Sequence, residues 1–217
     1  MKRQILIATT NRGKLAELSA MLDLDIQWLS LSDLGGLKEV EEDGKTFAEN
    51  ARKKSAGYAL QSGLWTIADD SGLVIDALGG APGVRSARFS EISSDCCSDR
   101  ALLDRENTAK VLELMKLVPA SERTARFICC LCLACPCPAG AKILLETQGT
   151  LDGLMAEAPA GENGFGYDPI FFAPSLGKTV AQLGEDEKNS ISHRGNAIRK
   201  LKPLLEKLLV GGNWFTP

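Results

Sequence analysis

A chain of 217 residues with one histidine, no surplus of positive charge and no long apolar run has several function classes closed to it at the outset. Lys and Arg number 25 against 28 Asp and Glu, a formal net charge of -3. A general nucleic-acid coat is excluded, because counterion release from a polyanion needs a basic surface. Local basic clusters can still hold a small polyanion. The run from Ile5 to Ala8 is too short for a signal peptide or a membrane span, so neither a membrane nor a nucleic-acid partner is expected. There is also no internal repeat, low-complexity tract or long linker.

Cysteine is the exception to this sparseness, with seven in all and Cys129, Cys130, Cys132, Cys135 and Cys137 inside one short segment. The number is odd, a zinc site needs about four ligands, and Cys132-x-x-Cys135 has no second pair at finger-like spacing. The lone His193 is distant. The segment reads instead as a buried strand in which thiols act as small apolar side chains. A zinc or redox role for the cluster is the competing reading, and cytoplasm is the expected compartment.

With 44% hydrophobic and 24% charged residues the composition is that of a soluble globular protein, expected to form one domain or two tightly joined lobes. Periodicity places a strand at Gln4 to Ala8, a loop from Thr9 to Lys14, and a helix with Leu15, Leu18, Met21 and Leu22 on one face. A second strand follows at Ile26 to Leu29. Thr46 and Glu49 form a capping box for a helix to about Gln61. Two strand-like runs, Leu64 to Ala68 and Leu73 to Leu78, are separated by the turn signal Asp69-Asp70-Ser71-Gly72. Asp99 or Ser98 caps a long helix stopped by Pro119. Residues 124 to 135 and 141 to 149 read as a hairpin, Pro169 to Phe172 as a short strand, and Asn196 to Val210 as a helix with Ile198, Leu201, Leu204, Leu205 and Leu208 buried. The fold class is α/β, a mixed central sheet flanked by helices.

Several segments carry chemistry. Asp69 and Asp70 end an apolar run, and adjacent strand residues point to opposite faces. They read either as an Asx-type strand-ending turn or as a carboxylate presented to a cleft, where it needs a cation or donors nearby. Thr9, Thr10, Asn11, Arg12, Gly13 and Lys14 lie between a strand and a helix, where backbone N–H groups and a helix N-terminus suit phosphate oxygens. The loop is too short for the nucleotide P-loop. Glu41-Glu42-Asp43 precedes a helix with Asn50 and Lys54 on one face. Carboxylates and lysines of this kind suit a magnesium triphosphate, and equally a solvated acidic turn. Phe165 between Gly164 and Gly166 could stack on a base, with Tyr167 and Asp168 adjoining it. Lys188 and Ser192-His193-Arg194 place donors before a helix.

Five motifs in this order, ATTNRGK at 8 to 14, EEDGKTFAENARKK at 41 to 54, ADDSGLVIDALGGAPGVRSARFS at 68 to 90, GFGYDPIFF at 164 to 172 and EKNSISHRGNAI at 187 to 198, resemble the inosine/xanthosine triphosphate pyrophosphatase family. The resemblance covers nearly the whole chain. It implies a single pyrophosphatase domain with two lobes around a deep nucleotide-binding cleft, a homodimer, and magnesium-dependent hydrolysis of ITP, dITP or XTP to the monophosphate and pyrophosphate. Under it Asp70 is the catalytic base and a metal ligand, with Glu42 as second metal ligand. Thr9 to Lys14 and Lys54 grip the triphosphate. Ser71, Phe165, Gly166, Tyr167, Asp168, Lys188, His193 and Arg194 line the nucleoside pocket. Related pyrophosphatases of pyrimidine or modified nucleotides are the nearest alternative, and a non-hydrolytic nucleotide-binding module is another. Arg85 stands where that family often has an aromatic residue.

Overall fold

In the computed structural model, which describes residues 2–90 and 99–211, the alternation of the first strand decides how its sheet is covered. β1 (Arg3–Ala8) sends Ile5 and Ile7 to one face and Leu6 and Ala8 to the other. On the first face lie α1 (Arg12–Leu22), through Leu18 and Leu22, and α5 (His193–Val210), through Ala197, Ile198, Leu201 and Leu205. On the second, Tyr58 of α2 (Phe47–Ser62) packs on Leu6, Ala8 and Ala68. The same parity runs through β3 (Trp65–Ile75), which puts Ile67 in the first cluster and Ala68 in the second.

The remaining elements are β2 (Ile26–Ser30), α3 (Arg100–Leu114), β4 (Thr124–Cys137), β5 (Gly140–Met155), β6 (Phe171–Ala173), β7 (Lys178–Thr179) and α4 (Glu185–Ile191). The seven strands are ordered β2-β1-β3-β4-β5-β6-β7. β1 pairs in parallel with β2 and β3, whereas β6 is antiparallel to β5 and β7, so the sheet is mixed as expected. Two compact units divide the chain: Met1–Asp70 with Cys129–Gly149 and His193–Pro217, and Ser71–Ile128 with Thr150–Ser192. The first holds the two clusters just described. The second has its own core around Leu73, Val111, Met115, Phe127, Phe171 and Val180, with Phe127 and Phe171 stacked at 4.3 Å between ring centroids. Among the described residues no helix is long and apolar enough to cross a membrane.

Several sequence expectations are corrected. Asp69-Asp70-Ser71-Gly72 is no turn; β3 runs straight through it. Glycine is needed there for close approach, since a Cβ on Gly72 would meet Ser86 Oγ at 2.3 Å, while Ser86 Oγ accepts the Leu73 N–H at 2.9 Å. Arg12 to Lys14 form the first turn of α1 rather than a loop, because the Asn11 side-chain Oδ1 caps the N–H groups of Gly13 and Lys14. α5 begins three residues before the expected Asn196, includes Pro203, and leaves Leu204 43% exposed. α4 had no periodic signal to announce it. Asp99 caps α3, which ends at Leu114, short of Pro119. Thr46 caps α2 as expected, but the Glu49 carboxylate takes the N–H of Lys45. Cys129, Cys130 and Cys132 are buried thiols, Cys135 and Cys137 are half-buried, and among the described residues no three His, Cys, Asp or Glu side chains form a metal cluster. Cys96 and Cys97 lie outside the described residues.

One buried arginine organises the second unit. Arg123, 5% exposed, donates Nε to Met155 O (2.7 Å), Nη1 to Met115 O (2.7 Å) and Val118 O (3.3 Å), and Nη2 to Ala156 O (2.9 Å), tying the end of α3 to the end of β5. Arg123→Met leaves these carbonyls to find other partners, at about 1–3 kcal/mol for a buried group left unpaired. A loss on the order of 3 kcal/mol in urea unfolding is expected, with Arg123→Lys recovering less than half because one ammonium cannot span all four. A loss below 1 kcal/mol would show that water replaces the guanidinium.

Candidate active site

Two adjacent carboxylates face opposite ways because they continue the parity of Ile67 and Ala68. Asp69, on the side of α1 and α5, is 1% exposed and fully partnered. Its Oδ1 accepts from Lys14 Nζ; its Oδ2 accepts from Arg194 Nε at 2.9 Å and from the Cys129 thiol at 3.1 Å. Arg194, also 1% exposed, turns Nη1 to the carboxylate of Glu17. Glu17 lies three residues after Lys14 on the same side of α1. Burial pushes the Asp69 carboxyl up, but the charges of Arg194 and Lys14 and their hydrogen bonds outweigh it and hold the group well below the ordinary carboxylate range. Burial, with the charge of Asp69, raises the Cys129 thiol well above its usual value, so it acts as a neutral donor.

Asp70, on the α2 side, is in the opposite condition. It is 8% exposed, and its Oδ2 is buried with no hydrogen-bond partner among the described residues. Burial raises its pKa to about 6, against the lowering influence of Lys54, Lys14 and a hydrogen bond from Asn50, while the charge of Glu42 raises it further. Lys54 Nζ sits 3.0 Å from Glu42 Oε1, and Asn50 Oδ1 accepts the Gly44 N–H at 2.8 Å. The two side chains one helical turn apart on α2 thus bind the acidic loop and approach Asp70 together. These groups fit a magnesium ion: hard oxygen ligands, one of them unclaimed, and few of them, as a cation that keeps waters and takes phosphate oxygens requires.

Thr9 Oγ1 accepts the Asn11 N–H at 3.1 Å, and Asn11 caps α1, so the segment from Thr9 to Lys14 is already ordered. Thr10 is exposed. Arg12 contributes backbone to the first turn of α1, and its side chain lies outside the described residues. Lys14, 16% exposed at its side chain, is the member of the Asp69 cluster with access to solvent.

In the second unit Asp168 gathers the glycine-rich loop. Its Oδ2 accepts from Phe165 N (2.9 Å) and from Lys188 Nζ (2.9 Å), and that ammonium also lies 4.5 Å from the Phe165 ring centroid. Gly166 N donates to Asp104 Oδ2 at 2.9 Å. Tyr167 is buried, its hydroxyl donating to Ser86 O at 2.8 Å, and burial pushes its phenol above the ordinary value. Ser71 is half-buried on β3, and His193 is buried in the first turn of α5. The structure therefore brings Lys14, Asp69 and Arg194 together, Glu42, Lys54 and Asp70 together, and Phe165, Asp168 and Lys188 together. Glu17 and Cys129 were not singled out by sequence, whereas Asn50 was placed with Lys54 on one helical face but given no role of its own. Helical spacing from Lys14 is the signal that could have found Glu17; for Cys129 only the sheet register does so.

A model of the Ham1 family matches residues 5–204. A dITP/XTP pyrophosphatase of Geobacter sulfurreducens is 48% identical over 200 residues, covering 92% of this chain and 94% of the relative. One of Bacillus cereus is 43% identical over 210 residues, covering 96% and 98%. The structure of a HAM1 protein from Coxiella burnetii superposes with a TM-score of 0.81 at 40% identity, covering 94% of this chain and 99% of that one.

Proposed function

This chain belongs to the Ham1 family, and from that premise we propose that it hydrolyses non-standard purine nucleoside triphosphates, ITP, dITP and XTP, to the monophosphate and pyrophosphate. The observation that carries the reading is Asp70, a buried carboxylate with one oxygen unclaimed, set beside Lys54 and within the influence of Glu42. At a pKa of about 6 it holds a proton far better than an ordinary carboxylate near 4, while remaining ionised at neutral pH. Asp70 is assigned as the base that removes a proton from water attacking the α-phosphorus. Lys14 and Lys54 offset charge that accumulates on the departing pyrophosphate, and the ordered turn from Thr9 to Gly13 orients the phosphate chain. Magnesium held by Glu42 and Asp70 would neutralise phosphate oxygens and acidify the attacking water.

Base choice is assigned to the second unit. Phe165 offers a flat apolar face, and the Lys188 ammonium, held by Asp168, suits a 6-oxo oxygen. A 6-amino group there would set donor against donor, at about 1–3 kcal/mol for each buried group left unpaired. Ser71, Gly166, Tyr167, His193 and Arg194 complete the proposed nucleoside contacts. For Arg194 they would have to coexist with its bonds to Asp69 and Glu17. Homodimeric assembly belongs to the same proposal and predicts sedimentation at twice the chain mass. A cytoplasmic location accords with five unbridged cysteines among the described residues.

Incubation with ITP and magnesium, with products resolved by ion exchange, tests the reading. Inosine monophosphate and pyrophosphate are expected; diphosphate and orthophosphate would contradict attack at the α-phosphorus. Faster turnover of dTTP or UTP than of dITP would remove the purine assignment.

A further inference from the structure

We infer that Gly149, a residue of β5 that belongs to none of the motifs above, is a positioning residue for the proposed reaction, because only glycine lets β5 seat the first turn of α5. A Cβ at Gly149 would lie 2.1 Å from His193 O, 2.4 Å from Ala197 N and 2.8 Å from Asn196 Cβ. The first two atoms are the carbonyl and the amide spaced for an i to i+4 bond in an α-helix, so the added methyl would intrude on the opening bond of α5. Both are backbone, with no rotamer that yields. The neighbouring residues of β5 hold the next turns of the same helix: Thr147 Oγ1 donates to Ala197 O at 3.0 Å, and Lys200 Nζ donates to Gln148 O at 2.6 Å.

The consequence travels along bonds already described. Arg194 is the second residue of α5, and its Nε reaches Asp69 Oδ2 at 2.9 Å, on the same carboxylate that holds Lys14. In a close-packed interior the helix turn would withdraw by about 1 Å to admit a methyl group. That displacement exceeds what a 2.9 Å ion-paired hydrogen bond tolerates. Arg194, and through Asp69 the ammonium of Lys14, would lose their alignment. Misplacement on the order of 1 Å lowers catalysis about 10²-fold in well-aligned sites. The functional part of this inference rests on the pyrophosphatase reading; the seating of α5 does not.

His193 is the only histidine of the chain and the first residue of α5, so its ring resonances report on this turn without assignment ambiguity. The experiment compares the unmodified protein, Gly149→Ala and Thr147→Val. For each it measures the His193 ring resonances by NMR, kcat/KM for dITP with magnesium, and urea unfolding. Gly149→Ala is expected to fold, shift the His193 resonances and lower kcat/KM about 10²-fold. Thr147→Val should shift them less, in the same direction, with a several-fold loss. A role confined to stability would lower the unfolding midpoint and leave His193 in the folded protein unmoved. Unmoved resonances in folded Gly149→Ala, or moved resonances with kcat/KM within twofold of the unmodified protein, overturn the inference. Should Gly149→Ala fail to fold, Thr147→Val decides on the same criteria. Absence of dITP turnover by the unmodified protein defeats the functional reading, whereas unmoved His193 defeats the seating.

Discussion

Asp70→Asn is expected to lower pyrophosphate release from dITP by about 10²–10⁴-fold, the usual contribution of a positioned general base, and at the same time to stabilise the metal-free protein at neutral pH. Asparagine keeps the shape and removes both the proton acceptor and the charge. The stability effect follows from the direction of the pKa. Asp70 titrates near 6 in the folded protein because burial disfavours its charged form, against about 4 in an unfolded chain. A folded-state pKa raised in this way favours the fold below pH 4, and that contribution is lost as pH rises through 6. The interval corresponds to about 3 kcal/mol that the ionised carboxylate withdraws from the native state. In EDTA at pH 7 to 8, Asp70→Asn should therefore unfold at higher urea than the unmodified protein, and the difference should close near pH 4. An inactive variant that is also less stable at pH 8 would mean that Asp70 is satisfied in the native protein, and the assignment of an unclaimed base would fall.

Arg194→Met should have the opposite signature, a large loss of stability. Arg194, Asp69 and Glu17 are all buried, and the guanidinium is the bridge between the two carboxylates. Methionine fills part of the volume but leaves Glu17 and half of the Asp69 carboxylate without their cation, and breaking a buried pair from one side costs about 3–5 kcal/mol. Because Asp69 is held well below the ordinary range, its share of stability is present above about pH 4 and disappears as pH falls through its depressed value. The gap between Arg194→Met and the unmodified protein should be widest near neutrality and narrow in acid. Lys14→Met should be milder, since Lys14 is partly exposed and Asp69 keeps both Arg194 and the Cys129 thiol. A difference below 1 kcal/mol at pH 7 for Arg194→Met would show that water reaches these carboxylates.

Much of the arrangement was legible from residue order. The strand-then-helix opening, the Thr46 cap and the hairpin after residue 124 follow from period and turn chemistry, both local. So does the divergence of Asp69 and Asp70, because strand parity admits no alternative. The missed features have non-local causes. Asp-Asp-Ser-Gly has the composition of a turn, yet Ser86, far along the chain, approaches Gly72 and keeps the strand extended. α5 starts at His193 rather than Asn196 because β5 supports its first turn, an interaction with no sequence period.

From its sequence alone this protein was already committed to two adjacent acids facing opposite sides of one buried strand, and to lysines at helical positions able to meet them. Which acid would be neutralised and which left unclaimed was decided only by the tertiary structure. That choice depends on Arg194, Glu17 and Cys129 converging on one face of the sheet, whereas the other face offers Asp70 a lysine shared with Glu42. Desolvation and charge pairing act over a few ångströms in space, and neighbours at that range are set by packing rather than by chain order.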